Sequence, residues 1–337
     1  MGSFLEREKV QQAKFRASSS YFSEAARANG IYRGRERSFC LPVEFAEENL
    51  VPSIREAART YFQDNGIQWH DGRNGNPSNH LCSSQVCCVN FLFPFANRPD
   101  ALAAVLRAVF PSIDQALPIE DGQYVAFEWI GCENYLGERV PRNSRRVRGA
   151  NCTSADAAVM FKRVDGKQQI VLIEWKYTES YSGVPLKVAK SGTDRTLIYE
   201  QLFRREDCPL HTDLLRSFES LFYEPFYQFM RQQFLAHEME RAREKGADIV
   251  SVLHVSPACN ADFRDVTSRE LETLDDTALG IWKRLVRPDD RFVSVSTEEL
   301  FGRLSAQDVP GMAEWLDYVH ARYPWLQPNC TSDISRF

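Results

Sequence analysis

The spacing of apolar residues changes twice along this chain of 337 residues, from helical to alternating and back to helical. Residues 42–64 set Phe45, Leu50, Ile54, Ala58 and Phe62 on one face at helical intervals, which predicts a helix. A second helix is expected from about Ser83, and a third over 101–110 with Asp100 as its cap. The middle third turns to short runs rich in aromatic and β-branched residues. These predict strands at 124–130, 155–163 and 168–179, the last two joined at Val164-Asp165-Gly166. Helices return over 193–204 and 214–245, followed by apolar strands at 247–255 and 292–295 and a last helix over 309–322. Residues 1–40 are polar, with the Arg-rich patch Arg33-Gly34-Arg35-Glu36-Arg37, and read as an N-terminal extension made of a weak amphipathic helix and a loop. Residues 41–337 then form one domain whose motif core spans about 79–260. The expected class is α/β, a mixed sheet flanked by helices with helical elaborations at both ends.

Composition narrows the setting. Hydrophobic content of 43% and charged content of 26% are those of an ordinary globular protein. The charged start Met-Gly-Ser-Phe-Leu-Glu lacks a signal-peptide core, and no apolar run reaches membrane-spanning length. The expectation is a cytoplasmic protein with no membrane partner. Nine cysteines, an odd number, suit reduced and mostly buried thiols. A net charge of −5 argues against a nonspecific nucleic-acid coat and leaves room for a local basic groove. His80, Cys82, Cys87 and Cys88 lack the spacing of a closed zinc site, and no Gly-rich phosphate loop is found.

The chemistry concentrates on Asp156, Glu174 and Lys176. Residues two apart on a strand share a face, so Glu174 and Lys176 emerge side by side at the end of the apolar run Ile170-Val171-Leu172-Ile173. Such charges on a core strand are costly to bury unpaired. Whether Asp156 joins them depends on one loop. A two-residue turn at Asp165-Gly166 would pair Asp156 with Trp175 and send its side chain to the other face. A three-residue loop, Val164-Asp165-Gly166 with Gly166 left-handed, pairs Arg163 with Lys167 and sets Asp156 opposite Glu174, with Cβ atoms about 5 Å apart. Both carboxylates can then take one Mg²⁺, with the backbone carbonyl of Trp175 as a further ligand. Lys176 would orient the attacking water or stabilise the transition state. The competing reading is a structural salt bridge on a strand pair.

Thr153-Ser154-Ala155-Asp156-Ala157 and Ile173-Glu174-Trp175-Lys176-Tyr177-Thr178-Glu179 resemble the second and third core motifs of the PD-(D/E)xK superfamily of restriction-endonuclease-like nucleases. The segment Asn79-His80-Leu81-Cys82-Ser83-Ser84-Gln85, with this Asp and Glu-x-Lys, resembles bacterial proteins assigned as restriction endonucleases. The resemblance covers roughly 79–204. It implies an α-β-β-β-α-β core, Mg²⁺ dependence with Mn²⁺ able to substitute, and phosphodiester hydrolysis. It makes Asp156 and Glu174 metal ligands and Lys176 the catalytic lysine. A glutamine on the following helix recurs in several branches, which offers Gln201 as a supporting or DNA-contacting residue. Ala155 stands where the pattern often has Pro, and the usual upstream helix acid has no match. Glu128 is the first candidate for a third acidic group and Glu133 the second.

The run 139–148 holds five arginines and no acidic residue; it is read as lining the approach to the metal, with Arg148 as the best DNA contact, then Arg146, Arg145 and Arg142. The leading expectation is a Mg²⁺-dependent deoxyribonuclease, an endonuclease of restriction or defence type, with DNA as partner and a homodimer left open. The alternatives are a noncatalytic nucleic-acid-binding or scaffold protein retaining the fold, and a nuclease acting on RNA or single strands.

Overall fold

Strands in chain order are Gly30–Tyr32 (β1), Arg35–Arg37 (β2), Ile113–Leu117 (β3), Val125–Trp129 (β4), Ala155–Arg163 (β5), Gln168–Trp175 (β6), Ile249–Ser256 (β7) and Phe292–Ser296 (β8). The α-helices are Phe4–Ser18 (α1), Arg55–Asp64 (α2), Ser84–Leu92 (α3), Pro99–Leu106 (α4), Thr196–Phe203 (α5), Phe226–Arg241 (α6), Ala278–Leu285 (α7), Thr297–Phe301 (α8) and Ala313–Arg322 (α9). The computed structural model describes residues 3–138 and 145–327.

β3 to β8 form a six-stranded mixed sheet in the order β3-β5-β6-β7-β8, with β4 also paired to β5. β3 and β4 take successive stretches of one edge of β5, at 160–163 and 155–159. The β5–β6 pair is antiparallel, and β6–β7 and β7–β8 are parallel. Alternation along the strands feeds two cores. Val159, Val171 and Leu253 pack toward α2, α3, α4 and α9, while Ala158, Leu172 and Val252 pack toward α6 and α7. The layered α/β arrangement expected from the sequence is the one observed.

Several boundaries differ from the expectations. The aromatic run expected as a helix over 214–245 is helical only from Phe226, because Pro225 has no N–H to donate into a preceding turn; 212–214 and 218–221 are short 3₁₀ turns. α4 opens on Pro99, suited to a first helical position, and Asp100 lies in its first turn instead of capping it. β3, a short edge strand with exposed Asp114 and Gln115, has too little alternation to be read.

Residues 4–40 are packed into the core rather than extended from it. Phe4, Phe15 and Phe22 are buried in the layer that holds α3 and α9. The Tyr177 hydroxyl donates to Glu8 (2.5 Å) and accepts from Gln12 (3.1 Å), whose amide also reaches the Arg322 carbonyl (3.1 Å). Trp325 donates to the same Glu8 carboxylate (3.2 Å). The first and last helices therefore meet behind Tyr177, the residue that follows Lys176. Among the described residues no helix is long and apolar enough to cross a membrane.

Candidate active site

The loop between β5 and β6 takes the three-residue form. The Arg163 amide donates to the Lys167 carbonyl at 2.8 Å, the Gly166 amide to the Arg163 carbonyl at 2.9 Å, and Gly166 has φ 83°. A β-carbon would strain that left-handed conformation. The ladder runs from Lys162–Gln168 to Ala157–Ile173, and one further step sets Asp156 opposite Glu174.

β5 loses its regular pairing at this point, and the Asp156 side chain takes over: its Oδ2 accepts from the Trp175 amide at 2.7 Å. The Trp175 carbonyl accepts a long hydrogen bond, 3.3 Å, from Ser84 Oγ at the start of α3, and a carbonyl oxygen carries a second lone pair. Glu174 is 1% exposed; its Oε1 accepts from Lys176 Nζ at 2.5 Å and its Oε2 from Gln232 Nε2 at 2.9 Å. Gln232, on α6, also donates to the Ser154 carbonyl at 2.6 Å, tying the helix to the entry of β5. The Lys176 amide donates to Val255 (2.8 Å), which holds the lysine against β7. His254 lies beside Glu174 in the parallel ladder and bonds Ser294 Oγ at 3.1 Å through Nδ1. Burial, helped by the Lys176 charge, pushes His254 down to about 3, so it is neutral.

Two carboxylates face one ammonium here, and the titration of each reflects that imbalance. Burial, and then the Glu174 charge, hold the Asp156 carboxyl well above the usual carboxylate range. Burial also raises Glu174, against the opposing pull of Lys176. Burial disfavours the Lys176 ammonium, but the summed attraction of Glu174, Asp156 and the other surrounding acidic groups outweighs it and the lysine stays charged. The oxygen donors Asp156, Glu174 and the Trp175 carbonyl are hard ligands short of positive charge, which fits a divalent cation of the Mg²⁺ type.

Glu128, on β4, stands opposite Asp156 between the Phe127–Ala157 and Trp129–Ala155 pairs; its charge helps raise Asp156 and Glu174, while its carboxylate takes hydrogen bonds from other groups. Its φ is 48°, and the inversion breaks the alternation of β4: Phe127 packs in one core and Trp129 in the other. The carboxylate accepts from Gln85 Nε2 (2.7 Å) and Ser154 Oγ (2.8 Å), and His70 Nε2 lies 3.8 Å away. Among the described residues no three His, Cys, Asp or Glu side chains converge as a metal cluster. Mg²⁺ commonly keeps several waters and takes one or two carboxylates, so two suffice. Glu133 is exposed in a turn.

The arginine run requires correction. Arg148, 9% exposed, donates from Nε to the Phe127 carbonyl (2.9 Å), from Nη1 to Glu120 (2.7 Å) and from Nη2 to the Tyr61 hydroxyl (2.9 Å). It is an internal strut that satisfies backbone carbonyls beside the inverted Glu128, and it is not presented to DNA. Arg146 is spent similarly on the carbonyls of Ile130 (3.0 Å), Gly131 (3.2 Å) and Cys132 (3.1 Å). Arg145 is exposed, and Arg142 lies outside the described residues. Gln201 is exposed on α5. The helix glutamine that reaches a site carboxylate is Gln232 instead, and the sequence carries a signal for it: Gln232-Gln233 interrupts an apolar stripe between Met230 and Phe234, where a buried amide needs a partner.

A family model described as restriction endonuclease associating with ARP matches residues 8–324. No match is found among curated proteins or among solved structures. The match spans nearly the whole chain, from the first turns of α1 past the end of α9, and takes in the sheet and every residue of the site. The chain belongs to this restriction-endonuclease family.

Proposed function

We propose that the protein is a Mg²⁺-dependent nuclease that hydrolyses DNA, an endonuclease of restriction or defence type. The observation that supports it most is the placement of Asp156 opposite Glu174, with Lys176 bonded to Glu174 on the same face. Asp156, Glu174 and the Trp175 carbonyl would hold the metal, with Mn²⁺ able to substitute. When bound, the cation would polarise the scissile phosphate and make a coordinated water more acidic.

The remaining work falls to the chain's own groups. Gln232 and Lys176 occupy both oxygens of Glu174 and fix its orientation. Trp175 does the same for Asp156 through its amide. Lys176 is the one ammonium at the site and would hold the attacking water or the charge that develops on the phosphate oxygens. Glu128, bound to Gln85 and Ser154, would shape the entrance instead of ligating metal.

Purified protein incubated with plasmid, linear and single-stranded DNA and with RNA, in Mg²⁺ or EDTA, tests the proposal. Mg²⁺-dependent DNA cleavage is expected. Lys176→Ala should abolish it while leaving DNA binding largely intact. Equal cleavage by variant and wild type would sink the catalytic assignment; cleavage of RNA alone would move the substrate to the second reading.

A further inference from the structure

Arg148 and Arg146 are committed to internal carbonyls, which leaves Arg145 as the exposed arginine of that run among the described residues; a second group of exposed cations lies on another element. The β1–β2 hairpin presents Arg33 and Arg35 exposed and Arg37 half-buried, with Glu36 as its one acid. Lys9 of α1 adds a further charge: its ammonium and the Arg37 guanidinium both lie over the Phe39 ring, at 5.1 and 5.9 Å.

Contacts place this hairpin over the metal-binding end of the sheet. At its root, Gly30 bonds Cys40 (2.9 Å), Leu41 bonds Asn79 (2.9 Å) and Leu81 bonds Phe39 (3.0 Å). The strand thereby docks on residues 79–82. That segment leads directly into the site: the Cys82 carbonyl accepts from Thr178, two residues past Lys176, and Ser84 reaches the Trp175 carbonyl. Beside the turn, the Tyr32 hydroxyl donates to Asp71 at 2.5 Å. The neighbouring His70 lies against Glu128 and bonds the Gly149 carbonyl at 2.9 Å. The hairpin thus rests on one support beside Thr178 and another beside Glu128, and Asp156 lies between those two strands.

We infer that the β1–β2 hairpin is the surface that grips the phosphate backbone of duplex DNA, with Arg33 and Arg35 as its principal contacts. The inference rests on the nuclease reading and deepens it. A two-stranded ribbon with cations at its turn can lie along a duplex and set its register over the carboxylates without reading sequence. The Arg33–Asp71 pair, open to solvent at 3.8 Å, leaves the guanidinium free to exchange a weak partner for phosphate.

The test measures binding of a labelled duplex to Lys176→Ala protein in Mg²⁺, over a range of salt concentrations. Adding Arg33→Gln and Arg35→Gln should lower affinity about sixtyfold near 0.1 M salt and flatten the log–log salt slope by about 1.8, as expected for two lost phosphate contacts. Both side chains are exposed, so the melting temperature should hold. Lys162→Gln with Lys167→Gln, at the far end of the β5–β6 hairpin, is the control and should change little. Duplex bound with unchanged affinity and slope by the hairpin variant would overturn the inference and leave the nuclease reading standing. An equal loss in the control would overturn it too, as a bulk charge effect. Failure of both proteins to bind duplex, with no DNA cleavage by wild type, would remove the hairpin and the DNA substrate together.

Discussion

Replacing Asp156 by asparagine removes a charge that burial, and then the Glu174 carboxylate, disfavours. Asparagine keeps an oxygen for the Trp175 amide and removes only the charge. Directly opposed residues place these charges about 5 Å apart, which at an effective dielectric of ~20 is ~3 kcal/mol of repulsion. The Lys176 ammonium on Glu174 offsets part of this, leaving about 1–2 kcal/mol. Because the Asp156 pKa is raised on folding, the unfolded chain loses its proton first as pH rises. Between about pH 4 and the higher folded value, metal-free stability should fall by up to ~1.4 kcal/mol per pH unit. Urea denaturation in EDTA should therefore show Asp156→Asn more stable than wild type by about 1–2 kcal/mol at pH 8, and nearly equal to it at pH 4. Mg²⁺ at a hundredfold excess over Kd should reverse the order, since the wild type alone gains binding free energy, ~2.7 kcal/mol. A variant less stable than wild type at pH 8 in EDTA, or a difference independent of pH, would refute the reasoning.

Two further expectations concern the frame of the site. Arg148→Ala should cost about 2–4 kcal/mol, because it strips a partner from Glu120 and donors from the Phe127 carbonyl; an unchanged urea midpoint would contradict its assignment as a strut. Gly166→Ala should destabilise by about 1 kcal/mol through the left-handed φ while leaving Mg²⁺-dependent cleavage measurable; a stability gain would mean the loop is not held in that conformation.

The geometry at the centre of the candidate site was legible because one glycine and the alternation of two strands decide it. Gly166 selects the loop, the loop selects the register, and the register sets Asp156 opposite Glu174. The arginine run misled for a definite reason. An arginine facing solvent and one facing backbone carbonyls look alike in sequence, and Arg148 has partners as far away in the chain as Tyr61. Glu128 is a similar case: strand composition places it on the Asp156 face, while a single positive φ takes its carboxylate to Gln85. Gln232 was legible in principle, as an amide within the apolar stripe of the helix expected over 214–245.

The seam behind Tyr177 bears on when the site matures during synthesis. Once residue 300 has left the ribosome, the chain already holds Asp156, Glu174, Lys176 and Gln232. Tyr177 then still lacks the ring of Trp325, 6.0 Å from its own, and Gln12 lacks both the carbonyl and the guanidinium of Arg322. The strand end that carries the lysine can already meet β7 and Glu8 and Gln12 of α1, and the last part of its bracing arrives with α9 and Trp325. A chain stopped before α9 therefore carries the side chains of the candidate site without that part of their backing.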